Sequence, residues 1–130
     1  MESKQILLVD DEPLILDIFK SFFSIYNYKI STSNTSEDAL EKIRKKNFDT
    51  IICDLMLDQY DGFQILDSAK KRNINSTCIL VTASPNANDK AKALEQGYCY
   101  LTKPVHFNTL LHTVLNCNTC KGIATKKISV

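Results

Sequence analysis

The chain has 130 residues, 44% of them hydrophobic and 24% charged, with sixteen basic against fifteen acidic side chains for a net charge of +1. That length and composition fit one globular domain and exclude a disordered tail, a collagen-like fibre or a low-complexity segment. Near-neutral charge removes the electrostatic footprint of a nucleic-acid or anionic-membrane binder, and no apolar run approaches the roughly 20 residues of a membrane helix.

Short apolar runs alternate with longer amphipathic ones. Ile6-Leu7-Leu8-Val9 stops at Asp10. It follows Met1 so closely that no secretory signal is expected. Residues 13 to 26 predict a helix, with Pro13 at its first position and an apolar stripe of Ile15, Ile18, Phe19, Phe22 and Phe23. Tyr28 to Thr32 alternates as a short strand. Ser36 opens a helix through Leu40 and Ile43. Ile51-Ile52-Cys53 is a second buried-strand run, and it stops at Asp54. Gly62 to about Lys71 predicts a helix with Phe63, Leu66 and Ala69 on one side. Cys78-Ile79-Leu80-Val81 ends at Thr82. Ala87 to Gln96 predicts a helix closed by Gly97 at C′. Cys99-Tyr100-Leu101 ends near Lys103. Residues 106 to about 117 predict a last helix with Phe107, Leu110, Leu111, Val114 and Leu115.

These are five βα units. Strands almost without polar residues imply burial on both faces, hence a parallel sheet covered by helices. The expected fold is α/β: an open doubly wound five-stranded parallel sheet, strand order 2-1-3-4-5. The domain is expected over residues 1–117. Residues 118–130 lose the pattern, carry Lys121, Lys126 and Lys127, and are expected to be a tail or the start of a linker.

Ligands of such sheets bind beyond the carboxyl ends of the strands. The residue at which each apolar run stops therefore carries the chemistry. Those residues are Asp10-Asp11-Glu12, Asp54, Thr82 and Lys103-Pro104. The chain has three glycines and none in the first βα turn, so no phosphate-cradling loop stands there. Clustered carboxylates need a cation or a raised pKa, and hard oxygen ligands suit Mg²⁺. Asp10 and Asp11 alone read equally well as a solvated turn and helix cap. Joined by Asp54 they form a metal-binding group. Asp54 can then attack phosphorus and hold an acyl phosphate, with Lys103 and Thr82 contacting the remaining phosphoryl oxygens.

Four separated motifs carry a resemblance: Ile6 to Pro13, then Asp54-Leu55-Met56-Leu57 with Asp61-Gly62, then Val81-Thr82-Ala83, then Lys103-Pro104. From about Lys4 to Asn116 the chain resembles the receiver domain of two-component response regulators, in length the single-domain chemotaxis and sporulation types, with a flavodoxin-like (βα)5 fold. The resemblance implies Asp54 as phosphoacceptor and Mg²⁺ (or Mn²⁺) held by Asp10, Asp11, Asp54 and the Met56 main-chain carbonyl. It implies Thr82 and Lys103 as phosphoryl contacts, Thr82 and Tyr100 as the switch pair, and a cis Lys103-Pro104 peptide. The implied partners are a sensor histidine kinase or histidine phosphotransfer protein and a downstream protein target. A phosphorylation-dependent homodimer through the fourth helix, fifth strand and fifth helix stays open. Direct nucleic-acid or membrane binding is not implied, turnover of a metabolite is not expected, and the implied location is the cytoplasm.

Some positions depart from the family pattern. Asp58 stands where proline is common and is expected to point to solvent. Tyr98 stands where alanine is usual, and should alter packing between the fourth helix and fifth strand. Val105 replaces a common phenylalanine. Five cysteines without a secretion signal predict thiols in a reducing compartment, with Cys53, Cys78 and Cys99 as small buried hydrophobes. Cys117-Asn118-Thr119-Cys120 lacks the further ligands of a zinc site. Two readings compete: an unphosphorylated docking module, and a small Mg²⁺-dependent aspartyl-phosphate phosphatase. The second lacks the Asp-x-Asp pair, since the sequence reads Asp54-Leu55-Met56.

Overall fold

The computed structural model describes residues 4–122. Five strands, β1 (Lys4–Val9), β2 (Tyr28–Ser33), β3 (Thr50–Asp54), β4 (Thr77–Thr82) and β5 (Cys99–Thr102), alternate with five helices. The helices are α1 (Pro13–Ser24), α2 (Ser36–Lys45), α3 (Gly62–Arg72), α4 (Ala87–Glu95) and α5 (Phe107–Gly122). All strand pairs are parallel, in the order β2-β1-β3-β4-β5. This is the topology expected from the uninterrupted apolar strands.

Strand alternation divides the core into two layers. Leu7, Val9, Ile51, Cys53, Cys78 and Leu80 pack against α2, α3 and α4, where Ala39, Ile43, Phe63, Leu66 and Ala93 meet them. Ile6, Leu8, Ile52, Ile79 and Val81 face the other way, onto Leu16 and Phe23 of α1 and Leu110 and Val114 of α5. The helix ends follow local chemistry. The Thr35 hydroxyl accepts from Asp38 N–H, Asp61 and Gln64 form a reciprocal capping box, and Asn86 caps α4. Gly97, at φ +81°, closes α4 as the sequence predicts.

Three expectations are corrected. In α1 the buried stripe is Leu16 and Phe23 with Phe19 partly buried between them, while Ile18 is 41% exposed. The helix carries apolar residues around much of its circumference, and the core takes the i, i+3, i+7 line with Phe22 packed partly buried beside it. The last helix runs on to Gly122 rather than ending near residue 117; from residue 123 the chain lies outside the described residues. Cys53 and Cys78 are buried as expected, but Cys99 is half-buried and disulfide-bonded. The side chains of Cys117 and Cys120 also lie outside the described ones. No helix among the described residues is long and apolar enough to cross a membrane.

Candidate functional site

Register brings the strand ends to one rim. Val9 pairs with Cys53, Asp54 with Val81 and Thr82 with Thr102, so Asp10, Asp54, Thr82 and Lys103 emerge side by side. Asp10 leaves β1 with its backbone N–H on the Ser33 carbonyl at 3.2 Å. Its Oδ1 accepts from Glu12 N–H at 3.0 Å, which fixes the turn into α1. Its Oδ2 accepts from Lys103 Nζ at 2.9 Å. The same Nζ donates to Asp54 Oδ2 at 3.1 Å. One ammonium therefore bridges two carboxylates drawn from β1 and β3. The Lys103-Pro104 peptide is cis, as implied.

Asp10 and Asp54 are each only 7% exposed, whereas Asp11 is exposed. One carboxylate oxygen from each of the three lies within 4.8 Å of the others. Burial pushes the Asp54 carboxyl above its usual range, and the charges of Asp10 and Asp11 push the same way; Lys103 opposes them. Burial alone would depress the Lys103 ammonium, but its bonds to Asp10 and Asp54 outweigh that and hold it above the ordinary value.

Thr82 is wholly buried, and its hydroxyl accepts from Ser84 N–H at 3.0 Å. Its carbonyl accepts from Lys103 N–H at 2.8 Å, tying β4 to the segment that carries the lysine. Tyr100 is partly buried against the α2–α4 layer, and its hydroxyl accepts from Asn86 N–H, at the cap of α4, at 3.3 Å. Met56 stands in the loop after β3 with its side chain 66% exposed. The structure thus gathers Asp10, Asp11, Asp54 and Lys103 into one group. Thr82 adjoins them on the rim with its hydroxyl turned to its own loop.

Two features were not read from the sequence. Asp58 does not simply point to solvent: its Oδ1 accepts from Ser36 N–H at 2.9 Å, and Tyr60 N–H donates to Ser36 Oγ at 3.1 Å. The loop after Asp54 is clasped to the first turn of α2. The Ser36 N–H bond draws the Asp58 carboxyl below its ordinary value. No local signal announces a contact spanning 22 residues. Tyr98, 4% exposed, turns towards α3: its ring lies 6.4 Å from that of Phe63 and its hydroxyl donates to Asp67. Its bulk signalled a packing change, but not this direction.

A cavity of about 440 Å³ opens beside the carboxylates, between α1 and α5. Gly62 packs directly beneath the site. A Cβ on it would sit 2.7 Å from the Asp54 carbonyl oxygen and 2.6 Å from Leu80 Cδ1.

Comparison with known proteins gives concordant results. Residues 6–115 match the family model of the response regulator receiver domain. The transcriptional regulatory protein ZraR of Klebsiella oxytoca is 32% identical over 114 residues, which are 87% of this chain and 26% of that protein. The chain thus spans about a quarter of that relative's length. The CheY-like receiver domain protein of Methanospirillum hungatei JF-1 superposes with a TM-score of 0.85 at 27% identity, covering 92% of this chain and 97% of that one. The BeF3-activated receiver domain of DrrB gives a TM-score of 0.80 at 28% identity, covering 88% and 97%.

Proposed function

The chain belongs to the response regulator receiver domain family of two-component signalling, and on that premise we propose that it is a phosphorylation-controlled switch with Asp54 as its phosphoacceptor. The observation that carries the reading is the Lys103 ammonium shared between Asp10 and Asp54, with Asp11 in the same cluster.

The donor set fits a divalent cation. Three carboxylates within 4.8 Å of one another meet one lysine, which leaves negative charge uncompensated. Hard oxygen donors in that arrangement suit Mg²⁺ or Mn²⁺. Asp10, Asp11, Asp54 and the Met56 carbonyl would hold it. Bound there, the cation supplies charge neutralisation for the carboxylates and for the incoming phosphoryl oxygens.

Asp54 then acts as nucleophile. Its carboxylate oxygen forms a bond to phosphorus as the P–N bond of a partner's phosphohistidine breaks, and the imidazole nitrogen leaves with the electron pair. Lys103 remains on Asp10 and turns its second contact from Asp54 to a phosphoryl oxygen. The Thr82 hydroxyl exchanges Ser84 N–H for another phosphoryl oxygen. Tyr100 gives up Asn86 N–H and turns inward, which releases the cap of α4 and alters the α4–β5–α5 face. The partners are a histidine kinase or histidine phosphotransfer protein upstream and a protein target downstream. The protein assists its own phosphorylation and dephosphorylation but turns over no metabolite. Transcriptional output, as in ZraR, would belong to sequence beyond the part that matches.

The test is intact mass after incubation with Mg²⁺ and acetyl phosphate. One phosphoryl adduct is expected, lost with EDTA and in Asp54→Asn. Absence of both adduct and accelerated phosphate release would overturn the reading.

A further inference from the structure

The cavity beside the acid group is lined by apolar side chains from three elements. Ile15, Leu16 and Phe19 come from α1, Val105 follows β5, and Leu110 comes from α5. At about 440 Å³ it lies within the ~300–1,000 Å³ of small-molecule sites, which are mostly apolar with a few placed polar groups. The polar groups here are unbalanced. Asp10, Glu12 and Asp54 line the cavity with Lys103, three negative charges against one positive, for a formal sum of −2. Asp10, Asp54 and Lys103 sit together, since the lysine touches both carboxylates. The cavity therefore has one charged pole and an apolar remainder.

A purely apolar guest would leave the carboxylates as they are. An anionic guest would meet repulsion from three of the four charges. A guest with an ammonium at one end and an apolar body satisfies both parts. We propose that this cavity binds a small amphiphilic organic cation, a primary amine on an apolar body of about ten heavy atoms. The ammonium sits against the Asp10 and Asp54 carboxylates and the body lies between α1 and α5. Because Asp10 and Asp54 also belong to the carboxylate cluster, such an amine and a divalent cation exclude one another. The inference rests on the cavity and its charges in the unphosphorylated protein and does not depend on Asp54 being the phosphoacceptor.

The probe is 4-phenylbutylamine, with 4-phenylbutanol as its uncharged counterpart. Binding is measured by calorimetry and by amide chemical shifts on the full chain. The amine should bind at least about tenfold more tightly than the alcohol, as expected for hydrogen bonds to charged groups. Its shifts should map to α1, the start of α5 and the β5–α5 loop. Val105→Phe and Ile15→Phe add bulk at the cavity wall and leave every carboxylate in the sequence unchanged. Each should weaken the amine about tenfold or more, as overfilled packing does, and leave Mg²⁺ affinity unchanged. Saturating Mg²⁺ should also weaken it. Thermal melting of both variants separates cavity filling from misfolding, and either folded variant suffices. Equal affinity for amine and alcohol, shifts elsewhere on the surface, indifference to both filled variants, or no binding to the wild type would each overturn the proposal. Phosphorylation by acetyl phosphate, followed on the same sample, shows whether the phosphoacceptor reading fails with it or stands alone.

Discussion

Asp54 carries opposing demands in one side chain. Burial and the neighbouring carboxylates raise its pKa, and Lys103 compensates only in part. A carboxyl whose folded pKa lies above its unfolded value binds its proton more tightly when folded. Its ionised form therefore subtracts stability at neutral pH, and that loss is relieved as pH falls through the folded value. Asp54→Asn should accordingly melt higher than the wild type at neutral pH in metal-free buffer. The gap should narrow on acidification, as the wild-type carboxyl takes up its proton. A melt series across pH checks both signs, and a gap that widened would contradict the placement of Asp54. Asp58 makes the opposite case. Its carboxyl is held below the ordinary value chiefly by Ser36 N–H, so its contribution is present at neutral pH and is lost as pH falls through that lowered folded value. Asp58→Ala should lower the urea midpoint by removing an acceptor at the first turn of α2. Asp58→Asn keeps a carbonyl oxygen at the same place and should restore most of it.

The elements that hold these residues leave little slack. Gly62 opens α3 against the backbone of Asp54 and Leu55, and its N–H donates to the Leu55 carbonyl at 2.9 Å. Gly62→Ala would press a methyl onto backbone atoms that cannot swing aside. It should destabilise by about 1–3 kcal/mol and weaken divalent-cation binding, because the strand end itself must move. Denaturation curves and a Mg²⁺ titration read the two effects separately. On the far side of α3, Tyr98 joins the α4–β5 turn to Asp67, while Lys92 of α4 lies 4.2 Å from the Phe63 ring centroid. Tyr98→Phe keeps the ring packing and deletes the hydrogen bond. It should cost about 1 kcal/mol and speed amide exchange at the start of β5. These same elements show what the sequence could tell. Strands buried on both faces announce themselves as apolar runs, and the residue ending each run was enough to place Asp10, Asp54 and Lys103 on one rim. The face of α1 was not legible, because apolar residues crowd its circumference and only the sheet selects Leu16 over Ile18. Asp58 is exposed as expected, but its bond to Ser36 was not legible, nor was the direction in which Tyr98 turns, because these contacts join segments 22 and 31 residues apart.

Across the whole molecule, a net charge of +1 conceals a local imbalance. The fold collects Asp10, Asp11 and Asp54 at one end of the sheet, with Lys103 bridging only Asp10 and Asp54. The apolar layers on either side of the sheet hold these carboxylates together against their repulsion, so the metal-free protein contains a site whose charges oppose its own geometry. A ligand that binds only the folded state stabilises it by mass action. Mg²⁺ at about one hundred times its dissociation constant should add about 2.7 kcal/mol, which for a domain of this size raises the melting temperature by about 10 °C. Sodium chloride at matched ionic strength should reproduce little of this, because the Asp10 and Asp54 carboxylates are buried and poorly screened. Asp11→Asn gives the matching sign test. With one of three like charges removed, the metal-free variant should melt no lower than the wild type, yet lose most of the Mg²⁺-dependent rise. A rise that sodium chloride matched, or that Asp11→Asn retained in full, would mean that the carboxylate cluster gains only general screening and holds no cation of its own.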